Sequence, residues 1–327
     1  MERVLRNKKV LVTGGAGFIG SNLVESLLES GNSVVCLDNF ATGKQENLNS
    51  FVNNPDFTLI EGDIRNYNTC LHAVKNVEIV FHQAALGSVP RSIKDPVTTC
   101  DVNIGGFVKM LFASKEAGIE RFIYAASSST YGDHPGLPKI EDKIGNPLSP
   151  YGISKYVDEL YATNFASTYN IDVIGLRYFN VFGRRQDPDG AYAAVIPLFI
   201  KKLLNHESPV INGDGTYSRD FTYIDNVIQA NHLAAIVNTK AALNQVYNIA
   251  HGERTTLNFL FEMIRDLTGR YDSEILGIKP VYGTERAGDI PHSQASIEKA
   301  KNMLGYAPEK NVIEGLEKSV EWFWKNL

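Results

Sequence analysis

The chain has 327 residues, 43% of them hydrophobic, and a formal net charge of −5. That length and apolar content supply a large core in one big domain or two fused ones, and the acidic balance gives no electrostatic case for nucleic acid. No apolar run approaches the ~20 residues needed to span a bilayer, and no apolar segment with a small-residue cleavage site precedes the first strand-like run, so neither a membrane partner nor a signal peptide is expected. The cysteines Cys36, Cys70 and Cys100 are odd in number and outside metal spacing, and the seven histidines form no paired ligand motif. A reducing, cytoplasmic setting without a metal centre follows as the expectation.

Lys9-Val10-Leu11-Val12-Thr13 is a short β-branched run closed by Gly14. Gly14-Gly15-Ala16-Gly17-Phe18-Ile19-Gly20 follows, then a helical pattern over Ser21–Ser30 with Leu23, Leu27 and Leu28 at helical spacing. Ser33–Asp38 is a second strand, which makes the opening a βαβ unit. The glycines at 14, 17 and 20 give G-x-x-G-x-x-G. In that pattern the first permits the tight turn, the second clears space for a pyrophosphate, and the third lets helix and strand pack closely. The helix N-terminus then offers free amides to phosphate. Asp38 closes the second strand eighteen residues past Gly20, where a carboxylate binds both hydroxyls of an adenosine ribose. Asn39 follows it rather than an arginine, so the carboxylate would repel a 2′-phosphate and the pattern favours NAD over NADP. A strand-end turn is the plainer role for Asp38, and the glycines weigh against it.

Phe57–Asp63 and Glu78–His82 read as further strands, with Asp63-Ile64 placed to meet an adenine edge and Gln83-Ala84-Ala85 small enough for close approach to a cofactor. A long helix is expected over Val97–Ala117, a fifth strand over Arg121–Ala126 ending in Ser127-Ser128-Ser129, a helix over Pro150–Tyr169, and a strand over Asp172–Asn180. Six or seven strands alternating with helices give an α/β fold with a doubly wound parallel Rossmann sheet, and such sheets take ligands at the carboxyl ends of their strands.

The helix over 150–169 carries Tyr151 and Lys155, four residues apart and so on one face. A free tyrosine phenol titrates near ~10, too high for a base at neutral pH, and a fixed cation nearby stabilises the phenolate form. The pair is therefore a candidate acid/base for a substrate hydroxyl. The spacing alone is weak: Tyr306 and Lys310 match it, although Pro308 between them opposes a continuous helix.

Together the glycine pattern, Asp38, Asp63-Ile64, Asn103, the serine run ending in Thr130-Tyr131-Gly132, the Tyr151/Lys155 pair and Arg177-Tyr178-Phe179-Asn180 resemble the extended short-chain dehydrogenase/reductases that act on nucleotide sugars. The resemblance covers the whole chain. It implies Ser127 as the catalytic hydroxyl, Tyr151 as the acid/base and Lys155 as its partner. It implies NAD contacts from Gly14, Gly17, Phe18, Ile19, Gly20, Asp38, Asn39, Phe40, Gly43, Asp63, Ile64, Gln83, Ala84, Ala85, Asn103, Tyr151, Lys155 and Tyr178. Within the family, the 4,6-dehydratases carry Asp-Glu after the catalytic hydroxyl and the decarboxylating members a glutamate; Ser128 and Ser129 cannot supply that acid, which leaves 4-epimerisation. Gln83–Ser92, Gly183–Pro188 and Gly190–Val195 look like the bacterial UDP-N-acetylglucosamine 4-epimerases of surface-polysaccharide pathways, some of which prefer uronic acids. Homodimers are usual in the family, through the helices near 98–117 and 150–169. Here Val157, Leu160, Tyr161 and Phe165 serve either that seam or the core, and periodicity does not choose.

After Asn180 the alternation breaks, and residues 181–327 are expected to hold the UDP-sugar in a smaller domain, with about 222–250 returning to the NAD-binding half formed by 1–180. Val195–Leu204 reads as a helix, Pro209–Gly215 as a strand and turn, and Asp225-Asn226-Val227 as a helix cap. Arginines should converge on a diphosphate, and Arg219 and Arg286 are the candidates, with Asp289 for the uridine ribose. By the resemblance, Asn180 meets a phosphate, and Ala194, Val195, Phe199 and Asn212 line the uracil pocket. Ordinary core packing rivals that role for Val195 and Phe199. Gly87, Ser88, Ser128 and Ser129 fall near the sugar, and Ser293 stands where related epimerases carry a bulky residue, leaving room for an N-acetyl group.

Overall fold

The structure is a computed structural model that describes residues 4–190, 193–285 and 290–327; the expected contacts at Arg286 and Asp289 lie outside the described residues. Seven parallel strands form one sheet. In sequence order the first six are β1 (Lys9–Thr13), β2 (Ser33–Asp38), β3 (Phe57–Glu61), β4 (Ile79–His82), β5 (Arg121–Ser127) and β6 (Asp172–Tyr178), and the seventh is Gln245–Ile249. Their order across the sheet runs Gln245–Ile249, β6, β5, β4, β1, β2, β3, a doubly wound arrangement. β1 is central and β-branched, and its residues alternate between two buried faces. Val10 and Val12 join Leu23, Val24 and Leu27 on one side. Leu11 joins Val80, Phe122, Met110 and Ala162 on the other.

Helices α1 (Phe18–Glu29), α2 (Tyr67–Ala73), α3 (Val89–Lys94), α4 (Pro96–Cys100), α5 (Phe107–Glu116) and α6 (Pro150–Tyr169) complete the first half. α1 begins three residues earlier than the hydrophobic spacing implies, because the glycine loop itself makes the first turn, with Gly17 as its N-cap. The helix expected over Val97–Ala117 runs from α4 into α5 through a wider-wound segment over Asp101–Gly106, with helical backbone at both junctions. Gly106 lets this segment pack closely: a Cβ there would stand 2.6 Å from the Ile64 side chain. α6 matches its expected bounds. Ser149 caps it by accepting from Gly152 N at 3.1 Å, Pro150 fills its first turn, and Asn170 ends it with a left-handed backbone, φ 54°. Its buried side changes character along its length. Lys155, Asp158 and Glu159 occupy the first half, and Ala162 and Phe165 the second.

Beyond residue 180, α7 (Val195–Leu204) packs on Leu257–Thr268 through Phe199 and Phe261, ring centroids 6.3 Å apart. α8 (Ile224–Ile236) and the strand Gln245–Ile249 lie against β6 and the large sheet. Asp225 sits inside the first turn of α8 rather than capping it; Tyr223 is the N-cap, and Asp225 pairs with Arg184 at 2.7 Å. No helix among the described residues is long and apolar enough to cross a membrane.

Candidate active site

The glycine loop joins β1 to α1 and performs three separate steric tasks. Gly14 has φ +69°, which a side chain adopts only with strain, and a Cβ there would also stand 2.8 Å from the Ala84 backbone. At Gly20 a Cβ would lie 2.0 Å from Gly14 O, so the helix packs directly onto the turn. At Gly17 the only neighbour among the described residues within 4 Å of a Cβ would be Gly14 O, at 3.2 Å. That added methyl group would otherwise fill an open cradle at the amino end of α1, and no side chain caps this end. The open space and free amides suit the pyrophosphate of a dinucleotide.

Asp38 is nearly buried at the end of β2 and accepts from Ala16 N and Phe40 N, at 2.9 and 2.8 Å. Burial pushes its carboxyl up, against the pull of those amides. Gly43 crosses above it; a Cβ there would stand 3.0 Å from Asp38 Oδ1. Asn39 donates to Asp63 at 2.8 Å, and Arg65 also binds Asp63, holding its carboxyl down at about 2. Ile64 points into the core, so its side chain is no part of an adenine wall. On β4, His82 bonds Thr13 Oγ1 at 2.9 Å, and Ala84 N donates to the same hydroxyl at 3.3 Å. Burial, with the Lys155 charge nearby, pushes His82 down to about 3. Tyr178 Oη donates to Gln83 Oε1 and accepts from Asn231, so both side chains are engaged with one another beneath the crevice.

At the carboxyl end of β5, Ser127 Oγ donates to Ser129 Oγ at 3.2 Å and accepts from Ser129 N at 3.1 Å. Ser127 stands in register with Tyr178 of β6. Tyr151 lies half-buried in the first turn of α6. One turn on, Lys155 is 3% exposed and donates to Ala125 O at 3.0 Å and to Asp158 at 3.3 Å. Asn103, on the wider-wound segment, donates to Ser154 Oγ at 3.1 Å and accepts from Leu86 N at 2.8 Å. It thereby ties α6 to the 85–87 segment, where Ala85 is half-buried, Gly87 exposed and Ser88 caps α3.

Sequence reading missed the layer under this site. Glu159 pairs with Arg177 at 2.7 Å, both nearly buried, and Arg177 lies over the Tyr131 ring at 4.8 Å. Arg177 stands in the motif that carries the resemblance, and the polar side of α6 is the second signal. Among the expected sugar-nucleotide contacts, Asn180 adopts φ 36° and donates to Asp220 O. Arg219 donates to Pro291 O at 3.1 Å, and half-buried Ser293 bonds Ser218 O. Asn212 pairs with Gly283 between two short parallel strands. Ala194 is exposed and Val195 half-buried at the start of α7, whereas Phe199 is fully buried in the core. For Phe199 the structure therefore shows the packing role. Ser128 and Ser129 are half-buried beside Ser127.

Residues 10–250 match the family described as NAD dependent epimerase/dehydratase. A putative UDP-glucose 4-epimerase of Methanocaldococcus jannaschii is 40% identical over 319 residues, 97% of this chain and 99% of the relative. Among solved structures, a UDP-N-acetylglucosamine 4-epimerase from Methanobrevibacter ruminantium, in complex with UDP-N-acetylmuramic acid, superposes with TM-score 0.92 at 40% identity, covering 99% of this chain and all of that one. A Thermus thermophilus UDP-glucose 4-epimerase in complex with NAD superposes with TM-score 0.86 at 32% identity, covering 98% of this chain and 100% of that one. The glycine cradle, the strand-end carboxylate and the whole-length match agree: the chain belongs to the NAD dependent epimerase/dehydratase family and takes NAD as its cofactor.

Proposed function

We propose that the protein is a UDP-sugar 4-epimerase that interconverts UDP-GlcNAc and UDP-GalNAc without net redox change, in the cytoplasm, for surface-polysaccharide precursors. The observation that carries this reading is the end of β5. It offers the hydroxyls of Ser127, Ser128 and Ser129 and no carboxylate, beside a single tyrosine–lysine turn of α6. Dehydration needs a further acid there; inversion at one carbon needs one acid/base.

In this reading residues 1–180, with 222–250, hold the cofactor and the remainder of 181–327 holds the UDP-sugar. Phe18 and Ile19 present amides to the pyrophosphate beside the open Gly17, Asp38 with Asn39, Phe40 and Gly43 surrounds the adenosine ribose, Asp63 and the Ile64 backbone border the adenine, and Gln83 to Ala85 line the crossing toward the nicotinamide. NAD supplies an acceptor and donor of hydride for the sugar C4. Tyr151 Oη, as phenolate, takes the proton of the 4-hydroxyl, and the Lys155 ammonium stabilises that phenolate. Ser127 Oγ hydrogen-bonds the same oxygen. The 4-keto sugar turns about its phosphate linkage, and Tyr151 returns the proton to the opposite epimer. A site that serves two faces of one sugar should hold the UDP firmly and the hexose loosely. Arg219, with Arg286, Asp289, Asn180 and Asn212, answers the first need; Gly87, Ser88 and Ser293 answer the second.

The Tyr151→Phe variant tests the reading. It should bind UDP-GlcNAc normally yet lose turnover by about 100-fold or more, the scale of a positioned acid/base; near-normal turnover would refute the role. A second reading, preference for unsubstituted UDP-hexoses, draws on the names of the M. jannaschii and T. thermophilus relatives. Competition between UDP-GlcNAc and UDP-glucose decides between them. A homodimer belongs to the same proposal. Leu160 and Tyr161 are exposed on α6 and Val97 on α4, whereas Phe165 is spent in the core. Sedimentation tests it.

A further inference from the structure

The first turns of α6 bury more charge than the proposed chemistry uses. Lys155 and Asp158 lie on one side of the helix, 3% and 0% exposed, with Nζ and Oδ2 at 3.3 Å. The other carboxylate oxygen, Oδ1, is buried with no hydrogen-bond partner among the described residues. A buried oxygen left bare costs stability, and a buried ion pair seldom repays its desolvation. Packing therefore does not account for a carboxylate at this position. Its geometry does. An ammonium has three donors, and here one goes to Ala125 O at 3.0 Å and one to Asp158. Ala125 lies on β5 two residues before Ser127, so the two acceptors fix Nζ between the sheet and the helix.

We propose that Asp158 is a positioning residue for the epimerisation: it holds the Lys155 ammonium against Ala125 O so that the third N–H remains directed to the groups of the site. This rests on the reading of Lys155 given above. Among the described residues, Lys155 and Glu159 from its own helix and Tyr124 from β5 face Asp158, and Glu159 is itself matched by Arg177 from β6. His82 on β4 is kept neutral by burial. Burial pushes the Asp158 carboxyl up to about 7, with Lys155 pulling it back, so the grip on Lys155 is released by a proton within the neutral range.

The test uses the NAD-loaded full chain with UDP-GlcNAc, comparing wild type, Asp158→Asn and Lys155→Met from about pH 5.5 to 9. Asp158→Asn should lower kcat by about 10- to 100-fold, the scale of a misplaced catalytic group. Its KM should stay within about twofold, and its melting temperature should not fall. The wild-type kcat should drop on the acid side with a midpoint near pH 7, where the buried Asp158 carboxyl takes up its proton, and this limb should vanish in Asp158→Asn. An infrared difference spectrum across that limb should show a protonated-carboxyl band in wild type that the variant lacks. Unchanged kcat and an unchanged profile in Asp158→Asn would overturn the inference, as would a large fall in melting temperature with kcat preserved. Should the variant not fold, a wild-type spectrum without the carboxyl band overturns it alone. Lys155→Met separates the two readings: if it keeps turnover, the reading of the site fails, and if it alone loses turnover, only the Asp158 proposal fails.

Discussion

The glycine loop gives the sharpest contrast between two single-methyl changes three residues apart. In Gly17→Ala the added Cβ meets, among the described residues, only Gly14 O, at 3.2 Å, and the backbone at φ −77° already suits alanine. Loss of a preferred N-cap residue and the stiffer unfolded chain nearly cancel, so stability should change by less than about 1 kcal/mol. The methyl group nevertheless occupies the cradle, and NAD should bind about 10- to 100-fold more weakly, or about 1.4–2.8 kcal/mol. In Gly20→Ala the Cβ would stand 2.0 Å from Gly14 O and 2.7 Å from Gly14 C. Both are main-chain atoms that cannot rotate away, so α1 must lift from the turn. The cost of such overpacking is about 1–3 kcal/mol, beyond the gain of about 1 kcal/mol in helix propensity. Urea unfolding of the NAD-free proteins measures the stability and a fluorescence titration with NAD the affinity. The reasoning fails if Gly17→Ala binds NAD as wild type does, or if Gly20→Ala is as stable as wild type.

Other outcomes follow from buried polar groups. Arg177→Met leaves Glu159 buried without its partner and should destabilise by about 3–5 kcal/mol in urea unfolding. Asp38→Ala removes the carboxylate set against a 2′-phosphate, so the preference for NAD over NADP should narrow by about tenfold in paired titrations. His82 is held down at about 3 in the folded chain against 6.5 when free, so the unfolded state binds the extra proton between those values and stability is lost as pH falls through them. The wild type should therefore lose stability relative to His82→Gln by up to about 1.4 kcal/mol per pH unit below pH 6.5. Equal slopes in the two proteins would contradict that. Ser293→Tyr should cut activity on acetylated sugars more than on plain ones, and an unchanged ratio counts against its role as a gate.

What could be read without coordinates was what local chemistry decides. β1, β2 and α6 carry their own punctuation: Gly14 after Thr13, Asp38 at a strand end, Ser149-Pro150 before a helix. The glycine spacing was legible because each glycine answers a distinct contact. The wider-wound stretch inside the 97–117 helix was not, since the close approach of Gly106 to Ile64 belongs to tertiary packing. Nor was the fate of Phe199, which shares a helix with Val195 but turns into the core against Phe261. Periodicity likewise left the seam residues open, and tertiary packing buries Phe165 while exposing Leu160. Asp158 was invisible for a related reason. A charged residue at helical spacing usually lies on a solvated face, and only the sheet beneath α6 reveals that this one does not.

The central claim is that a hydride leaves the sugar C4 and returns to the same carbon while Tyr151 takes up and gives back one proton. UDP-GlcNAc carrying deuterium at C4, incubated with the NAD-loaded protein in ordinary water, tests it directly. UDP-GalNAc that keeps its deuterium at C4, with no accumulation of NADH, is the predicted result. Loss of the label to water, stoichiometric NADH, or no epimer from any UDP-hexose offered would contradict it.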